Sequence, residues 1–216
     1  MKKIGILGSG MVGKTLADGF IKYGYQVKIG TGNPSKLEEW KSDAGENGSV
    51  GSFAQAAEFG DAVVLAVKGH VAKQLISGLG EALEGKLVMD ACNPIDENNP
   101  PVNGVLHFYT KQNSSMMEEL QESHPKAKFV KVFSSVGAHL MVNPDFGGQK
   151  PSMFICGNDD EAKGEVRKIL DMFGWETEDM GTVEVARAIE PLCMLWCIPG
   201  FKDGKWNHAY KLLRNE

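Results

Sequence analysis

The sequence predicts an α/β protein, a doubly wound parallel sheet followed by a small C-terminal helical extension. Three observations carry that expectation. Short apolar runs alternate with stretches of helical apolar spacing through residues 1–95, the pattern of strand–helix–strand units with parallel strands. The clearest run, Asp61-Ala62-Val63-Val64-Leu65-Ala66-Val67, has an unbroken apolar centre, as a strand buried on both faces requires. Glycine is in excess at 26 of 216 residues, and eight of the 26 crowd into the first 32, around the first strand–helix turn.

The elements follow in order. Lys3 to Leu7 is an apolar run stopped by Gly8-Ser9-Gly10 and reads as the first strand. Met11, Val12, Leu16, Phe20 and Ile21 recur at helical spacing up to Tyr23, and Gly24 suits the C-cap. Gln26–Gly30 is a second strand. Asn33-Pro34 starts a helix to about Ala44, with Asn33 as cap and Pro34 in the first turn. A brief strand at Val50–Ser52 leads into a helix at Phe53–Phe59. After the strand at 61–67, a helix is expected from His70 to Leu79 and a strand from Lys86 to Asp90. Residues 96–112 read as a loop. Beyond it, helix is expected at Ser114–Gln121, strand at Lys128–Phe133 and Met153–Cys156, helix at Glu161–Phe173 and strand at Trp175–Thr177. A last apolar helix, Val183–Ile198, is interrupted at Pro191. The expected division is a cofactor-binding domain at 1–145 and a strand–helix extension at 146–216.

Composition narrows the function classes. Hydrophobic residues make up 42% and charged residues 24%, the proportions of an ordinary globular chain rather than a disordered one. No apolar run approaches the ~18–20 residues of a membrane-spanning helix. Net charge is −5, and the longest basic cluster, Lys126, Lys128 and Lys131, alternates with apolar residues, so nucleic acid is not an expected partner. Met1-Lys2-Lys3 runs straight into a strand with no signal-peptide pattern. Four scattered cysteines do not form a disulfide framework. A cytoplasmic location follows as the expectation.

Gly8-Ser9-Gly10-Met11-Val12-Gly13 matches G-x-G-x-x-G between a strand and a helix, the context of the Rossmann dinucleotide-binding turn. Gly8 allows the tight turn, Gly10 leaves room for a pyrophosphate, and Gly13 lets helix and strand pack closely. Helix-start N–H groups then face the phosphates. An NAD site carries Asp or Glu about 20 residues further on, at the end of the second strand. Here that position reads Thr31-Gly32-Asn33-Pro34-Ser35-Lys36, with no carboxylate before Glu38. Hydroxyls, an amide and an ammonium suit a 2′-phosphate, so NADP(H) is the expected cofactor. Thr31 and Asn33 also suit capping the next helix, and Lys36 a solvated surface position. Ala66, Val67 and Lys68 after the fourth strand, and Ala91, Asn93 and Pro94 after the fifth, complete the expected cofactor residues.

The chain resembles the NADP oxidoreductases that use the deazaflavin coenzyme F420. The likeness rests on Ile6–Gly13, Thr31-Gly32-Asn33-Pro34, Asp90-Ala91-Cys92-Asn93-Pro94, Lys131–Ala138, Cys156-Gly157-Asn158-Asp159 and Ala186–Leu192. It implies a Rossmann domain with a small helical C-terminal part, a homodimer, and direct hydride transfer from nicotinamide to the acceptor with no nucleophilic side chain. It also implies that Ser134, Ser135, Val136 and Gly137 lie against the acceptor. The same features are similar to the NADPH–flavin domain of membrane metalloreductases, which adds FMN and FAD to coenzyme F420 as candidate acceptors. The pattern departs at Gly32, where well-known members carry Arg, and at Val67-Lys68-Gly69-His70.

Other side chains are weighed against plainer roles. His70 follows a buried strand where open α/β sheets place ligands, yet a polar residue starting a helix explains it as well. His139 lies near the acceptor segment and also suits an exposed loop. No constellation surrounds His107, His124 or His208. Cys193 and Cys197 share a helix face but lack the further ligands of a metal site, so no metal is expected. Cys92 falls beside the expected nicotinamide position. Glu190, in an apolar segment, is expected to pair with Arg187 three residues back. Two alternatives to hydride transfer onto a ring remain: a dehydrogenase of a small carbonyl, alcohol or imine using Lys68, His70 or His139 as acid, and a non-catalytic NADPH-binding sensor.

Overall fold

The computed structural model describes residues 1–215; residue 216, the last of the expected extension, lies outside them. Six strands form one parallel sheet: β1 (Lys3–Leu7), β2 (Gln26–Gly30), β3 (Gly48–Gly51), β4 (Ala62–Leu65), β5 (Leu87–Asp90) and β6 (Lys128–Lys131). Their spatial order is β3-β2-β1-β4-β5-β6, so the winding reverses between β1 and β4, where open α/β sheets bind ligands. Five helices connect them: α1 (Met11–Lys22), α2 (Glu38–Ala44), α3 (Phe53–Phe59), α4 (Gly69–Leu79) and α5 (Met116–Ser123).

Both faces of the sheet are covered because successive residues of a strand point to opposite sides. Ile4, Ile6, Val27 and Ile29 meet Leu16 and Phe20 of α1 on one face. Leu7, Val63, Leu65 and Val88 meet Ala56, Ile76 and Met117 on the other. Gly5 is needed there: a Cβ on it would stand 2.1 Å from the Ala56 carbonyl oxygen.

The extension contributes β7 (Ser152–Ile155), α6 (Asp160–Met172), β8 (Glu176–Asp179), α7 (Ala186–Ile189) and α8 (Leu192–Asp203). β7 and β8 pair in parallel as a small second sheet, joined to β6 by a bridge between Lys131 and Cys156. Val166, Ile169 and Phe173 belong to the same core as α1, and the Phe20 and Phe173 rings lie 5.1 Å apart.

Three local expectations change. The segment after Asn33 is a 3-10 turn, Pro34–Leu37, before α2 begins, and Asn33 does not cap it, because its Oδ1 accepts instead from Ser35 Oγ at 2.7 Å. The strand expected to reach Phe133 stops at Lys131. Phe133 adopts a left-handed backbone with φ 62°, uncommon for a bulky residue, and turns the chain there. The last apolar stretch is a 3-10 turn at Val183–Val185, then α7 and α8, with Pro199 tolerated inside α8.

Candidate functional site

The turns leaving β2, β1, β4, β5 and β6 form a continuous ledge at the carboxyl edge of the sheet. Ser9 Oγ and Thr31 Oγ1 are 3.0 Å apart, linking the β1 and β2 turns. Gly8 has φ 133°, and a Cβ there would stand 2.1 Å from the Ala66 carbonyl oxygen, so β1 and β4 turns touch through backbone. Cys92 Sγ donates to the Val67 carbonyl at 3.0 Å, linking β4 to β5. Asn93 Nδ2 donates to the Ser134 carbonyl at 2.7 Å, linking β5 to β6.

The glycine-rich turn has the geometry a pyrophosphate needs. A Cβ on Gly13 would lie 2.1 Å from the Gly8 carbonyl oxygen, so α1 sits directly on the turn. A Cβ on Gly10 would meet nothing within 4 Å, so that side is open. α1 starts at Gly10 without a side-chain cap or an acidic residue in its first turn. Its first N–H groups are therefore free for an anion.

Beside this turn lies a cleft of about 740 Å³, lined by Thr31, Gly32, Ser35, Glu38, Lys41 and Gln55 among others. Its size matches ordinary small-molecule sites. Thr31 is buried and its hydroxyl accepts from the Asn33 N–H at 3.1 Å, whereas Gly32, Asn33, Ser35 and Lys36 are exposed. Lys41, which sequence spacing did not single out, brings an ammonium to this cleft, whereas Asn33 and Lys36 are not among its lining. Lys41 sits one helical turn beyond the Lys36 segment, and Glu38 faces the same cleft.

At the other end, Ala66 and Val67 are half-buried and Lys68 exposed; Ala91 and Pro94 are buried. Lys68 Nζ lies 2.8 Å from Glu97, and His70 Nδ1 lies 3.7 Å from the same carboxylate. Burial, then the Asp90 carboxylate, push the Cys92 thiol well above its ordinary range, so it is a protonated donor and not a thiolate. Ser134, Ser135 and Val136 are buried, and Gly137 is half-buried under Trp196, whose ring a Cβ at 137 would approach to 2.6 Å. His139 is exposed, with Nε2 2.9 Å from Asn207 Oδ1. Two buried oxygens at the β5–β6 junction, Asn93 Oδ1 and Ser134 Oγ, have no hydrogen-bond partner.

Beneath the ledge is a buried ion trio absent from the sequence expectations. Lys131 Nζ lies 2.7 Å from Asp90 Oδ2 and 3.0 Å from Glu190 Oε1 and donates to the Cys92 carbonyl at 3.0 Å; none of the three side chains is more than 2% exposed. Burial opposes the charge on Lys131, but Asp90 and Glu190 outweigh it and hold the ammonium above its ordinary pKa. The expected Glu190–Arg187 pair does not form. Arg187 Nε donates to Glu118 at 2.9 Å, while Glu190 turns inward and accepts from the Met116 and Met117 N–H groups at 3.1 Å each. A desolvated carboxylate takes a buried lysine and helix-start amides over a solvated arginine on its own helix face. A detectable signal existed: Lys131 is a lone charge within Phe129–Phe133, and Asp90 ends the adjacent strand in register with it. His208 also has surroundings, stacking on Trp196 with centroids 5.0 Å apart. Among the described residues, no group of three or more His, Cys, Asp or Glu is placed to hold a metal ion. No described helix is long and apolar enough to cross a membrane.

Strand order 3-2-1-4-5-6 with a glycine turn at the switch point defines a Rossmann-type dinucleotide-binding protein. Comparison with known proteins agrees. Residues 3–94 match the family described as NADP oxidoreductase, coenzyme F420-dependent. A solved structure from Arthrobacter sp. FB24, described as a "putative F420 dependent NADP-reductase", is 31% identical, with a TM-score of 0.90, covering 99% of this chain and 100% of that one. A hypothetical protein from Sinorhizobium meliloti is 25% identical with a TM-score of 0.73, covering 100% and 97%. The rat metalloreductase STEAP3 is 28% identical over 204 residues, 91% of this chain and 38% of that protein. The chain thus spans little more than a third of the curated relatives it matches. An imine reductase from Streptomyces aurantiacus, 16% identical with a TM-score of 0.66 over 93% of this chain and 63% of that one, shares the fold. The chain belongs to the coenzyme F420-dependent NADP oxidoreductase family.

Proposed function

We propose that the protein transfers a hydride between NADP(H) and a planar ring acceptor, a deazaflavin such as coenzyme F420 or a flavin such as FMN or FAD, bound against Ser134–Gly137. The observation that carries this reading is the exposure of every side chain expected as a proton donor: Lys68, His70 and His139 all stand in solvent and not in a water-excluded site. Lys68 and His70 share Glu97, and His139 bonds Asn207. Reducing a small carbonyl or imine needs a positioned general acid. Hydride exchange between two rings needs stacking, orientation and exclusion of water.

In this reading the open Gly10 turn and the α1 amides hold the pyrophosphate. Thr31, Gly32, Asn33, Ser35, Lys36 and the Lys41 ammonium surround the 2′-phosphate end. Asn93 Oδ1 and Ser134 Oγ, buried without partners, supply the acceptor and hydroxyl that a nicotinamide carboxamide requires. Bound NADPH supplies the hydride from nicotinamide C4, and a proton from water completes the two-electron reduction of the acceptor ring. Residues 1–145 then hold the nucleotide, with Ser134–Gly137 near their end meeting the acceptor. The extension at 146–216 serves the acceptor, through Trp196 against Gly137.

The test is steady-state NADPH consumption with coenzyme F420, FMN, FAD and riboflavin. Turnover with at least one ring acceptor is expected. Tight NADPH binding with no turnover on any of them, or turnover only with a small imine or carbonyl, overturns the reading.

A further inference from the structure

Three facts about the buried trio belong together. It costs desolvation: Asp90, Lys131 and Glu190 are all withdrawn from water. Apolar residues of similar volume commonly match or exceed such a cluster in stability, so stability alone does not account for it. Finally, its hydrogen bonds go to two places in the chain. Asp90 Oδ1 accepts from the Cys92 N–H at 2.9 Å, and Lys131 donates to the Cys92 carbonyl. Glu190 takes the Met116 and Met117 N–H groups, the start of α5. These are the two roots of the excursion over residues 93–115.

That excursion is internally tied, through a bridge between Ile95 and Phe108 and a hydrogen bond from the Tyr109 N–H to the Pro94 carbonyl at 3.0 Å. Its first residue is Asn93, which spans to Ser134. Fixing both roots therefore fixes the direction of the Asn93 carboxamide.

We propose that Asp90, Lys131 and Glu190 are positioning residues: the trio clamps both roots of the 93–115 excursion and so sets the nicotinamide end of the cofactor site. It rests on the placement of NADP(H) proposed above. The adenosine end, at Thr31 and Lys41, lies across the sheet on the far side of β1 and is outside its reach.

The test separates the two ends by ligand. Binding of NADPH and of adenosine 2′,5′-bisphosphate, which lacks the nicotinamide half, is measured by calorimetry on three proteins. These are the wild type, the uncharged triple variant Asp90→Asn/Lys131→Met/Glu190→Gln, and the milder Glu190→Gln, which keeps an oxygen for the α5 amides. The expected result is NADPH binding weakened about tenfold or more in the triple variant and less in Glu190→Gln, with bisphosphate binding within about twofold of wild type in both. A merely structural trio gives either equal weakening of both ligands or no change in either, and each overturns the proposal. If the triple variant does not fold, Glu190→Gln decides alone by the same criterion. Failure of the wild type to bind the bisphosphate is a separate result: it overturns the NADP placement itself, and the positioning role with it.

Discussion

Lys131→Met removes the ammonium and leaves two carboxylates buried with no counter-charge. Asp90 Oδ2 loses a partner at 2.7 Å and Glu190 Oε1 one at 3.0 Å, with no water access to either. Breaking a buried ion cluster by deleting one partner costs about 3–5 kcal/mol. A chain of this size loses about 2–4 °C of melting temperature per kcal/mol, so the midpoint falls by about 6–20 °C. Differential scanning calorimetry at neutral pH measures it. The pH dependence follows from the direction of the Lys131 shift. Its folded pKa is raised, so its stabilisation is complete below the ordinary lysine value of ~10.4 and is lost as pH rises through the folded value. On the alkaline side the gap between wild type and variant therefore holds from neutral pH upward and narrows only as pH rises through the folded lysine value. A midpoint within about 3 °C of wild type at neutral pH, or a gap that closes as pH is raised from neutral to ~9, refutes the account of the trio.

Two further outcomes are expected. Thr31→Asp keeps an oxygen for the Asn33 N–H and places a carboxylate at the end of β2, where it repels a 2′-phosphate and suits a ribose hydroxyl. The ratio of kcat/KM for NADPH to that for NADH should fall by about tenfold to a hundredfold, and an unchanged ratio refutes the assignment of that segment. Asp159→Ala removes the α6 cap to the Ala162 N–H at 2.8 Å and the pair with Lys128, costing about 1 kcal/mol by chemical denaturation. The Asp159 carboxyl is held low by the Ala162 N–H and then Lys128. Its contribution is present above the ordinary ~3.9 and disappears as pH falls through the folded value.

What was readable in the sequence divides along physical lines. Strands buried on both faces announce themselves by composition, so β1, β2, β4 and β5 were found within a residue or two; β4 ended early, at Leu65. The Gly8–Gly13 turn was readable because close backbone approach admits one residue type, and Gly8 and Gly13 each show that approach at 2.1 Å. Long-range electrostatics was not readable. Spacing rules look three or four residues away and offered Arg187 to Glu190, whereas the partner, Lys131, is 59 residues distant and reaches it only after β6 and α7 have packed. The backbone of Phe133 was hidden for a similar reason. A left-handed phenylalanine follows from tertiary packing, and no local preference predicts it. Residues 134–137 carry no local signal of their own and stand out only by resemblance, and their setting, buried serines beside an unpartnered Asn93 oxygen, depends on how the β5 and β6 turns pack.

The central claim is direct hydride transfer between nicotinamide and a ring acceptor, and its most direct test is isotopic. NADPH deuterated at nicotinamide C4 on one face, and separately on the other, is oxidised by the protein with coenzyme F420, and the reduced deazaflavin is analysed by mass spectrometry. The acceptor position of a deazaflavin is carbon, so a transferred deuteride does not wash out into water. The account predicts one deuterium retained in the reduced product from one C4 face. A reduced product without label from both epimers, or no reduction of any ring acceptor under conditions where NADPH binds, contradicts it.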